Sequence, residues 1–88
     1  MQHIRINDKE QLALLAIVRR GDGAYGPAIR EELFERTGQD ISLGALYSTL
    51  DRLEGKGLVD THFGDPTPER GGKRKKFYRL NGKGQIAL

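Results

Sequence analysis

Residues 42–58 read SLGALYSTLDRLEGKGL and carry the clearest helical pattern in the chain. Ser42 is the predicted N-cap, because a serine hydroxyl can accept a hydrogen bond from a free backbone N–H group at a helix start. Apolar residues follow at i, i+3, i+4, i+7 and i+10, the spacing of one helix face. They are Leu43, Leu46, Tyr47, Leu50 and Leu53. Gly55 and Gly57 bracket the predicted end of the helix.

The opposite face of this helix combines small and hydrogen-bonding residues with two cations and one flanking acid, Asp51. Its other members are Gly44, Ala45, Ser48, Thr49, Arg52 and Lys56. A helix that binds the DNA major groove needs small residues near its N-terminus to approach base edges, and Ser, Thr or Arg to contact them. An ordinary solvent-exposed face has the same pattern. Tyr47, at the edge of the apolar stripe, fits the core, a phosphate contact, or both.

Two more helices are predicted upstream. The first begins after Asn7, which forms a capping-box pattern with Glu10, and it ends at Gly21 and Gly23. Its apolar residues recur at near-helical spacing, as is typical of an amphipathic helix. They are Leu12, Leu15, Ile17 and Val18.

The second helix begins near Pro27, which suits a first helical position because proline lacks an N–H group, and it ends at Gly38. Its predicted buried stripe is Ile29, Leu33 and Phe34. Its predicted water-facing residues are Glu31, Glu32, Glu35 and Arg36.

A β-hairpin is predicted downstream. Residues 58–63 and 75–80 have strand composition, and a loop rich in glycine and proline, 64–72, separates them. Asn81 can cap a further helix, but only seven residues follow it, and so short a helix is marginal without support from another chain.

Three helices followed by a two-stranded hairpin with a basic tip predict an α+β fold, the winged helix-turn-helix, as one domain over residues 1–88. Residues 81–88 are interpreted as the start of a truncated or minimal C-terminal helix. In this fold the third helix, here 42–56, lies in the major groove. The hairpin, or wing, here 64–76, lies along the DNA backbone or minor groove.

Composition narrows the class of protein. The chain has 88 residues, no cysteine, 15 Lys and Arg against 12 Asp and Glu, and a net charge of +3. The lack of cysteine excludes disulfides, a thiolate nucleophile and a cysteine-based zinc site. No apolar run is long enough for a secretory signal or a membrane span, which predicts a cytoplasmic protein without a membrane partner.

The positive charge is concentrated at one end of the chain. Residues 1–69 have a net charge of −4, whereas residues 70–88 carry seven basic residues and no acidic residue. Six of these cations fall in the ten residues 70–79, which overlap the predicted wing: Arg70, Lys73, Arg74, Lys75, Lys76 and Arg79. Such a cluster beside two glycines is suited to following a phosphate backbone.

The other motifs predict neither an enzyme nor a cofactor or metal site. GDGAYG at 21–26 matches a dinucleotide-binding pattern, but it follows a helix rather than a strand, so it is interpreted as a helix-to-helix connection. Gly72 and Lys73 lack the remaining residues of a phosphate-binding loop. The two histidines, His3 and His62, have no second metal ligand nearby in sequence.

Three segments resemble the PadR-like transcriptional regulators: AYGPAI at 24–29, residues 42–58, and RGGKRKKFYRL at 70–80. The resemblance implies a homodimeric repressor on a palindromic double-stranded DNA operator. Carried over by position, the DNA-binding residues of the helix are Ser42, Gly44, Ala45, Tyr47, Ser48, Thr49 and Arg52. Those of the wing are Arg70, Lys73, Arg74 and Lys75.

The sequence departs from the family pattern in two places. Ser48 stands where many members have proline, and the long C-terminal dimerisation helix of the family has only its beginning here. Dimerisation through the first helix, with Leu12, Leu15 and Val18, is the alternative. A small-molecule effector is possible in such a family, but no residue of this sequence supports one.

Two other functions fit the same fold. A winged helix can act as a protein-interaction module, here through the acidic surface of the second helix, although the basic C-terminal segment disfavours this. RNA binding also remains open, because phosphate contacts do not distinguish the two nucleic acids.

Overall fold

The computed structural model describes residues 5–64 and 74–88. In chain order these residues form α1, α2, α3, β1, β2 and α4, with a 3₁₀ turn at Gly21–Gly23. The bounds are Asp8–Arg20, Gly26–Thr37, Leu43–Gly55, Val59–Phe63, Lys76–Leu80 and Gly82–Ala87, respectively. The predicted α+β architecture is confirmed, with α4 as a fourth helix. The tip of the predicted wing lies outside the described residues.

The helix starts follow the predicted caps. In α1, the Glu10 N–H donates to Asn7 Oδ1 at 2.8 Å, and the Asn7 N–H donates to Glu10 Oε1 at 2.9 Å, which completes the capping box. The Ala45 N–H donates to Ser42 Oγ at 3.1 Å at the start of α3. Asn81 caps α4 in the same way, accepting from the Gly84 N–H at 3.0 Å. These caps satisfy backbone donors that have no partner within the helix.

The glycine-rich segment after α1 joins one helix to the next, as predicted. Gly21 ends α1 with a φ of 56°, a left-handed value that favours glycine. Tyr25 then forms an isolated antiparallel bridge to Phe77, and the Tyr78 N–H donates to the Ala24 carbonyl oxygen at 2.8 Å. The connection therefore lies along β2 on the side away from β1.

The hairpin is antiparallel, with Val59 opposite Leu80 and Phe63 opposite Lys76. It encloses one side of a core to which the first three helices and both strands contribute. The fully buried residues include Leu14 of α1, Ile29 of α2, Leu50 and Leu53 of α3, and Tyr78 of β2. This core holds α3 against the rest of the domain through Leu46, Leu50 and Leu53.

Of the four apolar residues that the sequence spacing marks in α1, the structure buries only Ile17. Ala13, Leu14, Ala16 and Ile17 face the core. The other three marked residues lie on the surface: Leu12 is 37% exposed, Leu15 42% and Val18 54%. The helix has apolar residues on two faces, and packing against α2 and α3 determines which one is buried.

Two predictions for α2 are wrong. Phe34 is exposed rather than buried, and Glu32 is buried rather than facing water. The Glu32 carboxylate accepts hydrogen bonds from the Nε groups of Arg19, Arg20 and Arg36, at 3.2, 3.1 and 3.1 Å. Three guanidinium groups thus compensate the charge, so the carboxylate can be buried at the contact between α1 and α2.

The last helix, α4, packs against the hairpin. A Cβ atom at Gly84 would collide with the Leu58 carbonyl oxygen, so glycine allows the close approach. Ile86 of α4 is 88% exposed. None of the helices in residues 5–64 and 74–88 has the length and apolar character needed to cross a membrane.

Candidate nucleic-acid interface

The exposed face of α3 has the predicted character. Gly44, Ala45, Ser48 and Arg52 are all exposed, while Leu46, Leu50 and Leu53 face the core. The Ser48 hydroxyl donates to the Gly44 carbonyl oxygen at 3.1 Å and so lies close to the helix backbone. The N-terminal half of this face therefore has no large side chain that would keep a ligand away from the backbone.

The prediction that Thr49 lies on the exposed face of α3 is wrong. Its side chain is 6% exposed, and its hydroxyl donates to the Ala45 carbonyl oxygen at 3.3 Å. The same hydroxyl accepts from Arg52 Nη2 at 3.4 Å. Thr49 therefore orients the guanidinium group of Arg52. The contact is possible because residues three positions apart on a helix are neighbours on its surface.

Tyr47 lies at the edge between the core and the exposed face and is 38% exposed. Its phenol group lies directly over Gly26, where any Cβ atom would overlap with it. Gly26 thus allows the start of α2 to meet the middle of α3. The hydroxyl end of Tyr47 is in this way held beside the N-terminus of α2.

Lys56 has a structural role that the sequence pattern does not reveal. Its Nζ lies 2.9 Å from Glu10 Oε1, 2.7 Å from Glu10 Oε2 and 2.8 Å from the Arg5 carbonyl oxygen. This contact joins the end of α3 to the start of α1. In the sequence, Glu10 is predicted only to be the second member of a capping box. That pattern does not predict a partner 46 residues away.

The charge of Glu10 is stabilised despite its burial. Burial by itself raises the pKa of a carboxyl group, but here the hydrogen bonds from Lys56 and from the Asn7 N–H oppose it. The positive charges of Lys56 and Arg52 act in the same direction. Together they hold the pKa of Glu10 below its ordinary value of 4.5.

Of the predicted wing residues, Arg74 and Lys75 are exposed just before β2, and Arg70 and Lys73 lie outside the described residues. Lys75 Nζ lies 4.8 Å from the centre of the Tyr25 ring, a cation–π distance. Lys76 Nζ is instead 3.2 Å from Glu54 Oε1. One cation of the basic cluster is therefore used to join β2 to α3.

Aromatic side chains stabilise the hairpin near the end where its loop begins. Phe77 is stacked on His62 with ring centres 5.4 Å apart and is tilted against Tyr25 at 5.8 Å. His62 is therefore a packing residue of this surface. Within residues 5–64 and 74–88, no three His, Cys, Asp or Glu side chains are grouped so that they could hold a metal ion.

We expect the free energy of unfolding of Tyr78→Phe to fall less steeply than that of the wild type as the pH rises above about 10. Burial, with the negative charges of Asp51 and Glu54, raises the pKa of Tyr78 to about 12 from an ordinary value of 10.0. The unfolded chain therefore releases this proton first, and the stability contribution present below pH 10 is lost as the pH rises towards 12. The two-unit difference corresponds to about 2–3 kcal/mol.

Denaturant unfolding of both proteins between about pH 9 and 12 measures this effect, since the other titrating groups are common to both. The difference in unfolding free energy between wild type and Tyr78→Phe should shift by that amount in favour of the variant. Parallel pH curves for the two proteins would show that Tyr78 ionises as easily in the folded protein as in the unfolded chain.

The helix order, the α3 face and the hairpin define a winged helix-turn-helix domain. The model of the transcriptional regulator PadR-like family matches residues 14–88. The chain therefore belongs to the PadR-like family, whose members are transcriptional regulators and not enzymes.

Solved structures agree with this assignment. A transcriptional regulator from Clostridium thermocellum is 26% identical with a TM-score of 0.72, over 88% of this chain and 71% of that one. A PadR family transcription regulator from Clostridium difficile is 26% identical with a TM-score of 0.68, over 88% and 76%. Another, from Eggerthella lenta, is 29% identical with a TM-score of 0.65, over 86% and 63%.

A curated relative, an uncharacterised protein of Lysinibacillus sphaericus, is 35% identical over 66 residues. The match covers 73% of this chain and 58% of that relative.

Proposed function

We propose that this chain is a transcriptional repressor that binds double-stranded DNA sequence-specifically, with α3 in the major groove and residues 64–76 along the backbone or minor groove. The observation that carries the proposal is the exposed face of α3, small at its N-terminal half and followed by Arg52. Small residues allow a helix to approach base edges, and arginine supplies bidentate donors to guanine.

The residues proposed to contact DNA lie on α3 and on the wing. They are Ser42, Gly44, Ala45, Tyr47, Ser48 and Arg52, with Arg70, Lys73, Arg74 and Lys75. Thr49 acts through Arg52, because its hydroxyl accepts from the guanidinium group. The exposed wing cations Arg74 and Lys75 lie just before β2, which is joined to α3 through Lys76 and Glu54. This arrangement supports simultaneous contact of both elements with one duplex.

Arg52→Ala is expected to weaken binding to the preferred sequence about 5- to 150-fold, corresponding to about 1–3 kcal/mol, and to relax the preference at one base pair. Fluorescence anisotropy with the preferred duplex and with single-base variants of it measures both effects. Thr49→Val, which removes the supporting hydroxyl, should reproduce part of the loss, and Thr49→Ser should not. Unchanged affinity and base preference in Arg52→Ala would remove Arg52 from the interface.

Lys75→Ala is expected to weaken binding to all duplexes equally and to reduce the slope of log K against log salt concentration by about one. The reason is that a phosphate contact releases counterions but carries no base information. Lys83→Ala, on α4, removes the same charge outside the proposed interface and is the matched control. A loss confined to one sequence, or an unchanged salt slope, would contradict a phosphate contact.

The same proposal includes a homodimer formed through the exposed apolar residues of α1, which are Leu12, Leu15 and Val18. A two-fold symmetric dimer presents two copies of α3 about 34 Å apart, one turn of DNA, and therefore recognises a palindromic operator. The apolar surface on this helix supports a second copy as its partner, since exposed apolar patches commonly mark protein interfaces.

Leu15→Glu is expected to convert the dimer to a monomer, because a charge would be buried at the interface without a partner. Phe34→Glu introduces the same charge at an exposed apolar position of α2, outside this face of α1, and should leave the dimer intact. Light scattering after size-exclusion chromatography gives the mass of each. A dimer of unchanged stability in Leu15→Glu would exclude this face.

The experiment that tests the central proposal is selection from a pool of random double-stranded DNA, with a parallel pool of random RNA. We expect enrichment of a palindromic DNA sequence and none from the RNA pool. Enrichment from the RNA pool alone would favour RNA binding. No binding to either pool at low salt would favour a protein-interaction module.

A further inference from the structure

The C-terminal end of α3 carries a carboxylate in an unfavourable place. Glu54 is the second-last residue of α3, and the partial negative charge of a helix C-terminus repels an anion there. Glu54 also belongs to the helix that is proposed to enter DNA, whose phosphates repel a carboxylate. A favourable contact elsewhere is needed to offset both effects.

Both oxygens of this carboxylate are bound, one by each strand of the hairpin. Thr61 Oγ1 of β1 donates to Glu54 Oε2 at 3.2 Å. Lys76 Nζ of β2 donates to Glu54 Oε1, also at 3.2 Å. The Lys76 ammonium group lies 5.4 Å from the centre of the Tyr78 ring as well, a cation–π distance. A single side chain of α3 therefore holds both strands at once.

The contact lies where the hairpin leaves the core. Tyr78 of β2 is buried, whereas Phe63, which is opposite Lys76, is 60% exposed. Arg74 and Lys75, which are proposed to contact DNA, directly precede Lys76 in the chain. The anchorage of Lys76 therefore determines where these two cations lie relative to α3.

We propose that Glu54 positions the wing against α3 and, by holding Lys76, keeps that cation from DNA phosphates. The inference rests on the proposed function. A sequence-specific complex needs α3 and the wing in one fixed relation to the duplex, whereas a non-specific complex forms through phosphate contacts alone. Loss of Glu54 therefore has two opposite effects: sequence discrimination falls, and phosphate binding gains one cation.

Glu54→Gln is the main test, with fluorescence anisotropy on two duplexes of about 30 base pairs, three turns of DNA. One duplex carries the selected sequence and the other a scrambled sequence. We expect the ratio of the two dissociation constants to fall about three-fold, as for a partly exposed ion pair. For the scrambled duplex, the slope of log K against log salt concentration should steepen by about one, because Lys76 is free to bind a phosphate.

Two further variants separate the positioning effect from the effect of charge. Thr61→Val removes one anchor of Glu54 without changing any charge, so discrimination should fall while the salt slope stays the same. Thr61→Ser keeps the hydroxyl group and should behave as the wild type does. In the double variant Glu54→Gln with Lys76→Met, the steeper salt slope should be absent.

Asp51→Asn is the matched charge control, since it removes the same charge one turn earlier on the exposed side of α3. It should leave the discrimination ratio unchanged. If Asp51→Asn and Glu54→Gln changed the ratio and the salt slope equally, the effect would come from the general charge of α3 and the role of Glu54 would be wrong. An unchanged ratio in both Glu54→Gln and Thr61→Val would also overturn it.

The position of the wing can be measured without DNA. The chain has no cysteine, so Glu31→Cys on α2 and Arg74→Cys before β2 accept a pair of spin labels at defined sites. Pulsed electron spin resonance gives the distribution of distances between the two labels. We expect a broader distribution when Glu54→Gln or Thr61→Val is added to this labelled protein. Identical distributions would overturn the positioning role.

The two proposals fail separately. If the protein binds no duplex, the proposed function fails, while the label distances still test whether Glu54 holds the hairpin. If the protein binds the selected duplex and Glu54→Gln leaves discrimination unchanged, Glu54 has no positioning role and DNA binding stands.

Discussion

Replacement of Lys56 by methionine is expected to lower the free energy of unfolding by about 2–4 kcal/mol at pH 7. The Glu10 carboxylate is 1% exposed, and the Lys56 ammonium group contacts both of its oxygens. Methionine keeps the aliphatic part of the side chain but leaves a buried charge without its cation. Loss of one partner of a buried ion pair is much more costly than loss of both.

The loss in Lys56→Met should depend on pH. The pKa of Glu10 lies below its ordinary value of 4.5 in the folded protein, so its contribution is present above pH 4.5 and is lost as the pH falls through the folded pKa. In Lys56→Met the opposing cation is absent, and burial then favours the protonated acid. The difference between the two proteins should therefore narrow at acidic pH.

The double variant Glu10→Gln with Lys56→Met is the control. Glutamine keeps the capping box with Asn7, because its side-chain oxygen can still accept from the Asn7 N–H, while the buried charge is removed. We expect the double variant to regain most of the stability lost in Lys56→Met. Chemical denaturation of the wild type, Glu10→Gln, Lys56→Met and the double variant gives the coupling energy. If the two substitutions proved additive, Glu10 and Lys56 would not interact.

Leu50→Ala is expected to lower the free energy of unfolding by about 3–5 kcal/mol. Leu50 is fully buried on the inner face of α3, within the cluster that joins the helices to the hairpin. Removal of its side chain loses the transfer free energy of three carbon groups and leaves a cavity that a small domain closes only in part. The loss is a large fraction of a typical total stability of about 5–15 kcal/mol.

Leu12→Ala makes the same chemical change at a surface position, where the side chain is 37% exposed. We expect it to cost less than about 1 kcal/mol in the monomer, since little new cavity forms. Both substitutions are compared in the Leu15→Glu background, in which the proposed dimer is absent. Urea denaturation with equal slopes then allows the midpoints to be compared directly. Equal losses for Leu50 and Leu12 would mean that the Leu50 side chain is no more tightly packed than that of Leu12.

The parts of the fold that the sequence predicts correctly depend on residues close together in the chain. The caps at Asn7, Ser42 and Asn81 each join residues three positions apart. The inner face of α3 follows from the spacing of Leu46, Leu50 and Leu53, because the period of a helix alone brings them together. The hairpin is also predicted from local patterns, because two short segments of strand composition lie on either side of a turn-rich segment.

The candidate interface is predicted in outline and corrected in detail. The exposure of Gly44, Ala45, Ser48 and Arg52 follows from the helical period. The burial of Thr49 does not, since it depends on how α3 lies against the neighbouring helices. Lys56 falls on the polar face of the helix pattern, as a surface cation would. Only the packing of α1 beside α3 gives its ammonium group a partner, Glu10.

The sequence by itself determined the helix starts, the inner face of α3 and the concentration of basic residues after residue 69. These properties arise from hydrogen bonds and periodicities that span a few residues, so local chemistry is sufficient for them. Only the tertiary structure decided which face of α1 is buried, how Glu32 is neutralised by three arginines, and that Lys56 pairs with Glu10. Each of these depends on helices distant in the chain packing together, and no local pattern encodes that arrangement.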